Sequence, residues 1–454
     1  MMFRKSLIAA ACTLALGATQ TMAGSAEEAA KLGGPEFTPV GAERAGNADG
    51  SIPAWNENAA AEFAKVDKGD RNYPNPYAGE AKLFTIDASN VDQYADNVTE
   101  GAKALIALGK GFAMDVYPSH RDQSYTDWMV ANAKFNAENV TLEADGQKVA
   151  NSKPGVPFPF PKTGLEVIWN HMTRGVPSHE YTYDSYYVTS SGQPILSTTG
   201  HGYYNLTAYD EENLDLVGAD VPWLLLRINY KAPARRAGEI LLVHEPGSDF
   251  TEGKGRKAWQ YLTGQRRVRL APAVAFDTPN PGIAGTSTYD DSFIYNGSPE
   301  RFDWKLIGKK EMYIPYNNNE FVFETEIKDA LGESHIKPET VRWEKHRVWV
   351  VEADLKEGKR HIYKKRRFYV DEDTWAALAS DSYDARGNLW RTQFSYPVAL
   401  NDMGFAWTMS YTGYDVLQGI YNVNTKPTPG KLKFSISKGD KFFTPKGLAR
   451  GGVR

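Results

Sequence analysis

The densest run of groups able to do acid–base or metal chemistry is Asp371-Glu372-Asp373. Two carboxylates facing each other could serve a glycosidase, one as acid and the other as base or nucleophile. This run falls between two strand-like segments, where turn acids facing water are the expected state. Eight histidines, His120, His171, His179, His201, His244, His335, His346 and His361, are spread along the chain. No two sit at metal-ligand spacing on a predicted helix. His346 and His361 fall on neighbouring strands and could meet, but no carboxylate or cysteine partner is evident, so no metal site is expected. The chain has no Gly-x-Ser-x-Gly elbow, no Walker loop, no Gly-x-Gly-x-x-Gly after a strand and no His-Glu-x-x-His. Neither catalytic residues nor a cofactor are expected, and the informative part of the sequence is its apolar surface.

The N-terminus carries Arg4 and Lys5, an apolar run from Leu7 to Leu16, and Thr21-Met22-Ala23 before Gly24. Basic region, short apolar region and small-residue exit make a secretory signal peptide over residues 1–23, cut after Ala23. The single cysteine, Cys12, lies inside it, so an exported chain has neither disulfide nor thiolate chemistry. Removal of Arg4 and Lys5 leaves 50 of 52 basic residues against 56 acidic ones, a net charge of −6. Such a balance does not call for a nucleic-acid partner. The basic run Lys364-Lys365-Arg366-Arg367 alternates along a predicted strand and should split between two faces. No later apolar segment is long enough to span a membrane as a helix. An outer-membrane barrel is disfavoured by charges such as Glu344, Arg347 and Lys365 within the strand candidates.

The elements expected to position any site fall into two parts, 24–162 and 163–454, forming one structural unit. Residues 33–79 are rich in Gly, Pro, Asn and Asp and read as an ordered, irregular arm. Asn47, Asp49 and Gly50 look faintly like a calcium loop but lack its spacing. An Asx-capped turn beside Trp55 is the preferred reading. Helices are expected from Asp87 toward Leu108, after a capping pattern at Ser124 and Asp127, and after Thr163 with Glu166. In the last, Leu165, Ile168, Trp169 and Met172 form one apolar stripe that must lie on something flat. Prolines 154, 157, 159 and 161 make a stiff extended lead into it.

Beyond residue 180 the period changes from 3.6 to 2. Strands are expected at Tyr181 to Val188, Trp223 to Tyr230, Glu239 to His244, Lys257 to Leu262, Arg266 to Leu270 and Trp304 to Ile314. Further ones are Val341 to Ala353, His361 to Val370, Ala376 to Asp384 and Leu389 to Val398. Short turns such as Thr263-Gly264 and Arg386-Gly387-Asn388 imply an antiparallel meander. Leu224, Leu226, Ile228 and Tyr230 share one face, opposite Arg227 and Asn229. Trp343, Trp349 and Val351 oppose Glu344, His346 and Glu352. A meander with one apolar face must curl around a helix, a partner or a ligand.

Several blocks resemble one family. They are Thr38 to Trp55; Phe158-Pro159-Phe160-Pro161-Lys162-Thr163-Gly164-Leu165-Glu166-Val167-Ile168-Trp169-Asn170-His171; Ala237 to Glu245 with Ala258-Trp259-Gln260-Tyr261; and Arg266-Arg267-Val268-Arg269. Arg347 to Ala353, Tyr369 to Trp375 and Tyr383 to Gly387 look like it too. It is a domain-of-unknown-function family of Gram-negative periplasmic proteins, often described as outer-membrane lipoprotein-sorting proteins. The resemblance implies an α+β fold similar to the LolA and LolB carriers and to LppX. In those, a large curved antiparallel sheet or incomplete barrel wraps helices and opens an apolar cavity. This chain is about twice the size of such a carrier and has an N-terminal arm that they lack. The implied setting is the periplasm, at or near the outer membrane, beside an outer-membrane protein or a resistance-nodulation-division exporter.

The leading expectation is a binding or carrier protein for a lipid, an acyl chain or another hydrophobic molecule. Candidate cavity-wall residues are Leu224, Leu226, Ile228, Trp259, Tyr261, Trp343 and Trp349. The alternatives are a scaffold whose concave face is filled by its own helices, and, more weakly, a hydrolase. An unfilled apolar cavity would favour carriage. A trough plugged by the Leu165 to Met172 helix would favour the scaffold.

Overall fold

The computed structural model describes residues 24–62, 73–217, 222–271, 277–283, 285–435 and 438–451. The expected signal peptide, with Cys12 and the cut after Ala23, lies outside the described residues. Among them, fifteen strands form one sheet. In chain order they are β1 Phe84–Ile86, β2 Met114–Val116, β3 His179–Val188, β4 Pro194–Asn205, β5 Leu224–Ala232, β6 Ile240–Glu245, β7 Lys257–Leu262 and β8 Arg267–Leu270. There follow β9 Phe302–Pro315, β10 Trp343–Leu355, β11 Lys365–Asp371, β12 Ala377–Tyr383, β13 Leu389–Ser395, β14 Tyr411–Asp415 and β15 Ile420–Phe434.

The sheet is two meanders joined at one seam. Strands β3 to β8 pair in sequence, as do β9 to β14 once the short β13–β14 excursion is passed, and β15 lies between β14 and β3. All these ladders are antiparallel, and the four- or five-residue links β3–β4, β7–β8, β11–β12, β12–β13 and β14–β15 allow nothing else. Among the described residues the one parallel contact is a single bridge between Val116 of β2 and Trp343 of β10. The sheet is not closed into a barrel: its ordered path runs from β1 to β8 without the two meeting.

Strands β1, β2, β4, β14 and β15 are additions to the expected set, and composition explains why β4 and β15 do not read as strands. Strand β4 contains Gly200 and Gly202, and β15 contains Pro427, Pro429 and Gly430, which ordinarily argue against a central strand. The sheet admits β15 by shifting register against β3 at two places, between Val423 and Lys426 and between Pro427 and Leu432. Gly200 is required for a different reason. A Cβ there would stand 2.5 Å from Cζ of Tyr183, so the glycine makes room for that ring to lie across the sheet.

The helical expectations need adjustment. Between Asp87 and Leu108 the chain makes a short 3-10 turn and then a helix only over Glu100–Ala107, capped by the Thr99 hydroxyl. The Asp127–Asn139 helix starts at Thr126 without a side-chain cap, because Ser124 instead donates to the Asn401 carbonyl. At Gly164–Thr173 the Thr163 hydroxyl accepts from the Glu166 N–H at 3.2 Å, and Glu166 accepts from the Lys162 N–H at 2.5 Å. Ile168, Trp169 and Met172 are buried as the stripe demands, but so are Val167, Asn170 and His171. The helix is enclosed on all sides, resting on β9, β10 and β11. No helix among the described residues is long and apolar enough to cross a membrane.

One buried group beside the seam makes the fold sensitive to acid. His179, fully buried, donates from Nδ1 to the Pro177 carbonyl at 2.8 Å and accepts from the Trp407 indole at Nε2. Burial lowers its pKa from an ordinary 6.5 to about 4. The folded value lies below the unfolded one, so the stability is fully present above about pH 6.5 and is lost as pH falls through about 4. The thermal midpoint should fall over that window. In His179→Phe, which keeps a ring against Tyr204 but cannot titrate, the fall should be shallower.

Candidate functional site

The concave apolar surface is filled in one half and partly open in the other. Over β9 to β11 the Gly164–Thr173 helix occupies it. Over β3 to β6 a pocket remains, with an interior of about 90 Å³ and about 710 Å³ of unfilled space when its mouth is counted. Its apolar wall is Leu226, Ile228 and Tyr230 of β5 with Leu241 and Val243 of β6. Register explains the grouping: Leu226 faces Val243 and Ile228 faces Leu241 across the ladder, so all point to one side. Tyr183, Tyr204 and Tyr411 enter from β3, β4 and β14.

The roof is the irregular segment before β9, which contributes Tyr289, Phe293 and Asn296. Phe293 and Ile294 both take left-handed backbone, with φ of 57° and 75°, a costly state for a β-branched residue. Buried ion pairs hold the segment there. Arg366 of β11 donates to Asp290 at 3.1 Å and to Asp291 at 2.9 Å, while His361 and the Tyr363 hydroxyl bond the same two acids. The basic run thus splits as expected: Arg366 turns inward, and Arg367 pairs outward with Glu352. At the pocket's polar end Arg256 bonds Glu245, and Asn296 donates to Glu245 at 3.1 Å. Arg256 also lines an outer groove formed with Phe250, Thr251 and Glu300.

Of the expected wall residues, Leu226 and Ile228 line this pocket. Leu224 shares their face but is packed in the main core. Trp259 and Tyr261 are on the opposite face, because they pair with Leu242 and Ile240 rather than with Leu241 and Val243. There they form a small outer core with Leu225, covered by Phe443 and Leu448 of the C-terminal segment. Trp343 packs against Phe112 and Phe394, and Trp349 stacks on Trp375, both away from the pocket. The residues missed are the tyrosines and Phe293. They come from strands and a roof distant in sequence, and only the glycines of β4 hinted at rings lying flat on the sheet.

A second concentration of polar chemistry lies where β10 and the turn after β11 pass beneath the N-terminal arm. Asp371, Glu372 and Asp373 are fully buried, correcting the expectation of turn acids facing water. The arm covers them. Arg121 grips Asp373 with Nε and Nη2, both at 2.8 Å, and donates to the Glu43 carbonyl at 2.7 Å. Glu372 accepts from Arg347 at 3.1 Å and from Lys309 at 2.8 Å. Trp375 donates to the Val40 carbonyl and Tyr125 to that of Asp373. The Asx-turn reading fits the arm itself, where Asp49 accepts from Ser51 N–H and Asn47 from Ile52 N–H.

His346 and His361 do not meet: His361 bonds Asp290, whereas His346 belongs to this second centre. The imidazole of His346 stacks on Tyr316 with ring centres 3.7 Å apart, and Nε2 lies 3.0 Å from Glu344. Glu344 is fixed in turn by Arg342, Asn317 and the His120 N–H. Both faces of β10 are therefore buried here, unlike the one polar face expected from its alternation. Burial, then the charge of Asp373, pushes Asp371 up to about 6. Burial also opposes the charge on Asp373, but Arg121 outweighs it and holds that carboxyl below its ordinary range.

Residues 85–449 match the model of a protein family of unknown function, DUF1329. Uncharacterized protein PA3922 of Pseudomonas aeruginosa is 42% identical over 458 residues, covering 97% of each chain. The chain belongs to the DUF1329 family. Among solved structures, this DUF1329 chain is similar to a domain from Vibrio parahaemolyticus named for outer-membrane lipoprotein sorting. That likeness has 15% identity and a TM-score of 0.42, and covers 63% of this chain and 98% of the other. A DUF1329 protein from Desulfovibrio piger gives 16% identity and a TM-score of 0.38, over 60% and 92% of the two chains. The LolA superfamily protein NE2245 from Nitrosomonas europaea gives 11% and 0.36, over 62% and 97%.

Proposed function

We propose that the protein is a non-catalytic periplasmic binding or carrier protein for a hydrophobic molecule, a lipid or an acyl chain, exported by a signal peptide and acting beside envelope partners. The observation that carries this reading is the pocket between β5, β6 and the Phe293 roof, apolar on its sheet side and polar at the Arg256 end. An amphipathic ligand fits that division. Its apolar part gains roughly 25 cal/mol per Å² buried, before ordering costs, and its polar part can exchange hydrogen bonds with Asn296, Ser292 or Arg256. The enclosed interior, about 90 Å³, takes the end of a chain or a small ring, with the rest of the ligand lying in the mouth.

The scaffold reading has its own support in the Gly164–Thr173 helix, which fills the other half of the trough. A hydrolytic role has less: Asp371 and Asp373 are paired, but they are sealed under the arm rather than set along a cleft. Titration of an environment-sensitive apolar fluorophore into delipidated protein separates the first two. The carrier predicts saturable binding that long-chain fatty acid or phospholipid displaces. A scaffold predicts no saturable signal.

A further inference from the structure

The centre under the arm holds four fully buried carboxylates, Glu344, Asp371, Glu372 and Asp373. Glu344, Glu372 and Asp373 are paired with Arg342, Arg347, Lys309 or Arg121. Among the described residues Asp371 alone of the four has no cationic side chain paired with it, and a buried carboxylate without a counter-charge is costly. One atom each of His346, Asp371 and Asp373 lies within 4.8 Å of the others, with all three residues buried. One oxygen in this group has no other use. Asp371 Oδ2 accepts from the Tyr316 hydroxyl, the Thr374 N–H and the Thr374 hydroxyl, whereas Oδ1 is buried and has no hydrogen-bond partner.

We propose that His346, Asp371 and Asp373 bind one divalent transition-metal cation, of the zinc or manganese class. One imidazole nitrogen with two carboxylate oxygens suits those ions better than magnesium or calcium, which favour all-oxygen sets. The surroundings are those of a supported metal site. With Nε2–H donated to Glu344, the electron pair of His346 is left on Nδ1. Tyr316 fixes the ring plane from one side. Arg121 fixes the Asp373 carboxylate, and each of its oxygens keeps a lone pair free. A 2+ ion supplies the counter-charge and the oxygen partner that Asp371 lacks. It also ties β10 and the β11–β12 turn together beneath the arm, which makes the site structural.

The test uses the full chain, unfolded in guanidinium with chelator and refolded with zinc chloride, manganese chloride or no metal. The expected result is about one zinc or manganese retained per chain after gel filtration, with a raised thermal midpoint. His346→Gln and Asp371→Asn, checked by circular dichroism, should retain little metal and show no midpoint shift. A folded wild-type chain that retains neither metal overturns the proposal. Equal retention by wild type and folded variants also overturns it, as adventitious binding. Should the variants fail to fold, cobalt-loaded wild-type protein decides. Visible d–d bands of a nitrogen–oxygen site support the assignment, and a spectrum of aqueous cobalt alone refutes it.

Discussion

Arg121→Ala is expected to lower the unfolding free energy by about 3–5 kcal/mol, the range for removing one partner of a buried ion pair. The guanidinium is buried and bonds both oxygens of Asp373, Glu372 and the Glu43 carbonyl. Its loss strands Asp373 in a place with no water to solvate it, so the cost is that of an orphaned charge rather than of one contact. The same change loosens the arm, because Arg121 also donates to the arm carbonyls of Glu43, Ala45 and Pro53. Urea denaturation should show a lower midpoint. Limited proteolysis should cut the arm between Thr38 and Trp55 in the variant well before the wild type. Arg121→Lys should recover only part of the loss, because an ammonium cannot make the two parallel bonds.

Ile228→Trp is expected to weaken binding of an apolar probe by more than tenfold while leaving the fold intact. Ile228 lines the pocket beside Leu241, and the indole would extend into its unfilled interior instead of into packed atoms. Overpacking a filled core costs about 1–3 kcal/mol, and much of that is avoided where space exists. Excluding about 60 Å² of ligand contact at roughly 25 cal/mol per Å² already amounts to about 1.5 kcal/mol, just over the factor of ten. Trp259→Ala is the matched control. That ring packs on the outer face with the Leu225 cluster, so its removal should cost stability and leave probe affinity unchanged.

The sequence made the sheet legible wherever strands alternate and turns are short. Leu226, Ile228 and Tyr230 could be placed on one face from periodicity alone, and the Thr163–Glu166 cap marked the start of the central helix. What could not be read was decided by long-range packing. Strand parity relative to a neighbour depends on register, so Trp259 was assigned to the concave side although its partner is Leu242. Polar alternation in β10 looked like a wet face because the cover comes from Arg121 and the arm, more than 200 residues earlier. The acidic turn after β11 misled for the same reason. Proline and glycine in β15 hid a central strand, since bulges that absorb them leave no local signature.

Protein recovered from periplasm under native conditions and weighed intact by mass spectrometry, with its bound material then extracted, bears most directly on the pocket. The expected result is an added mass matching one amphipathic or apolar molecule, present in wild type and lost in Ile228→Trp. Repeated preparations of folded wild-type protein carrying no such molecule, or carrying it equally in the variant, would contradict it.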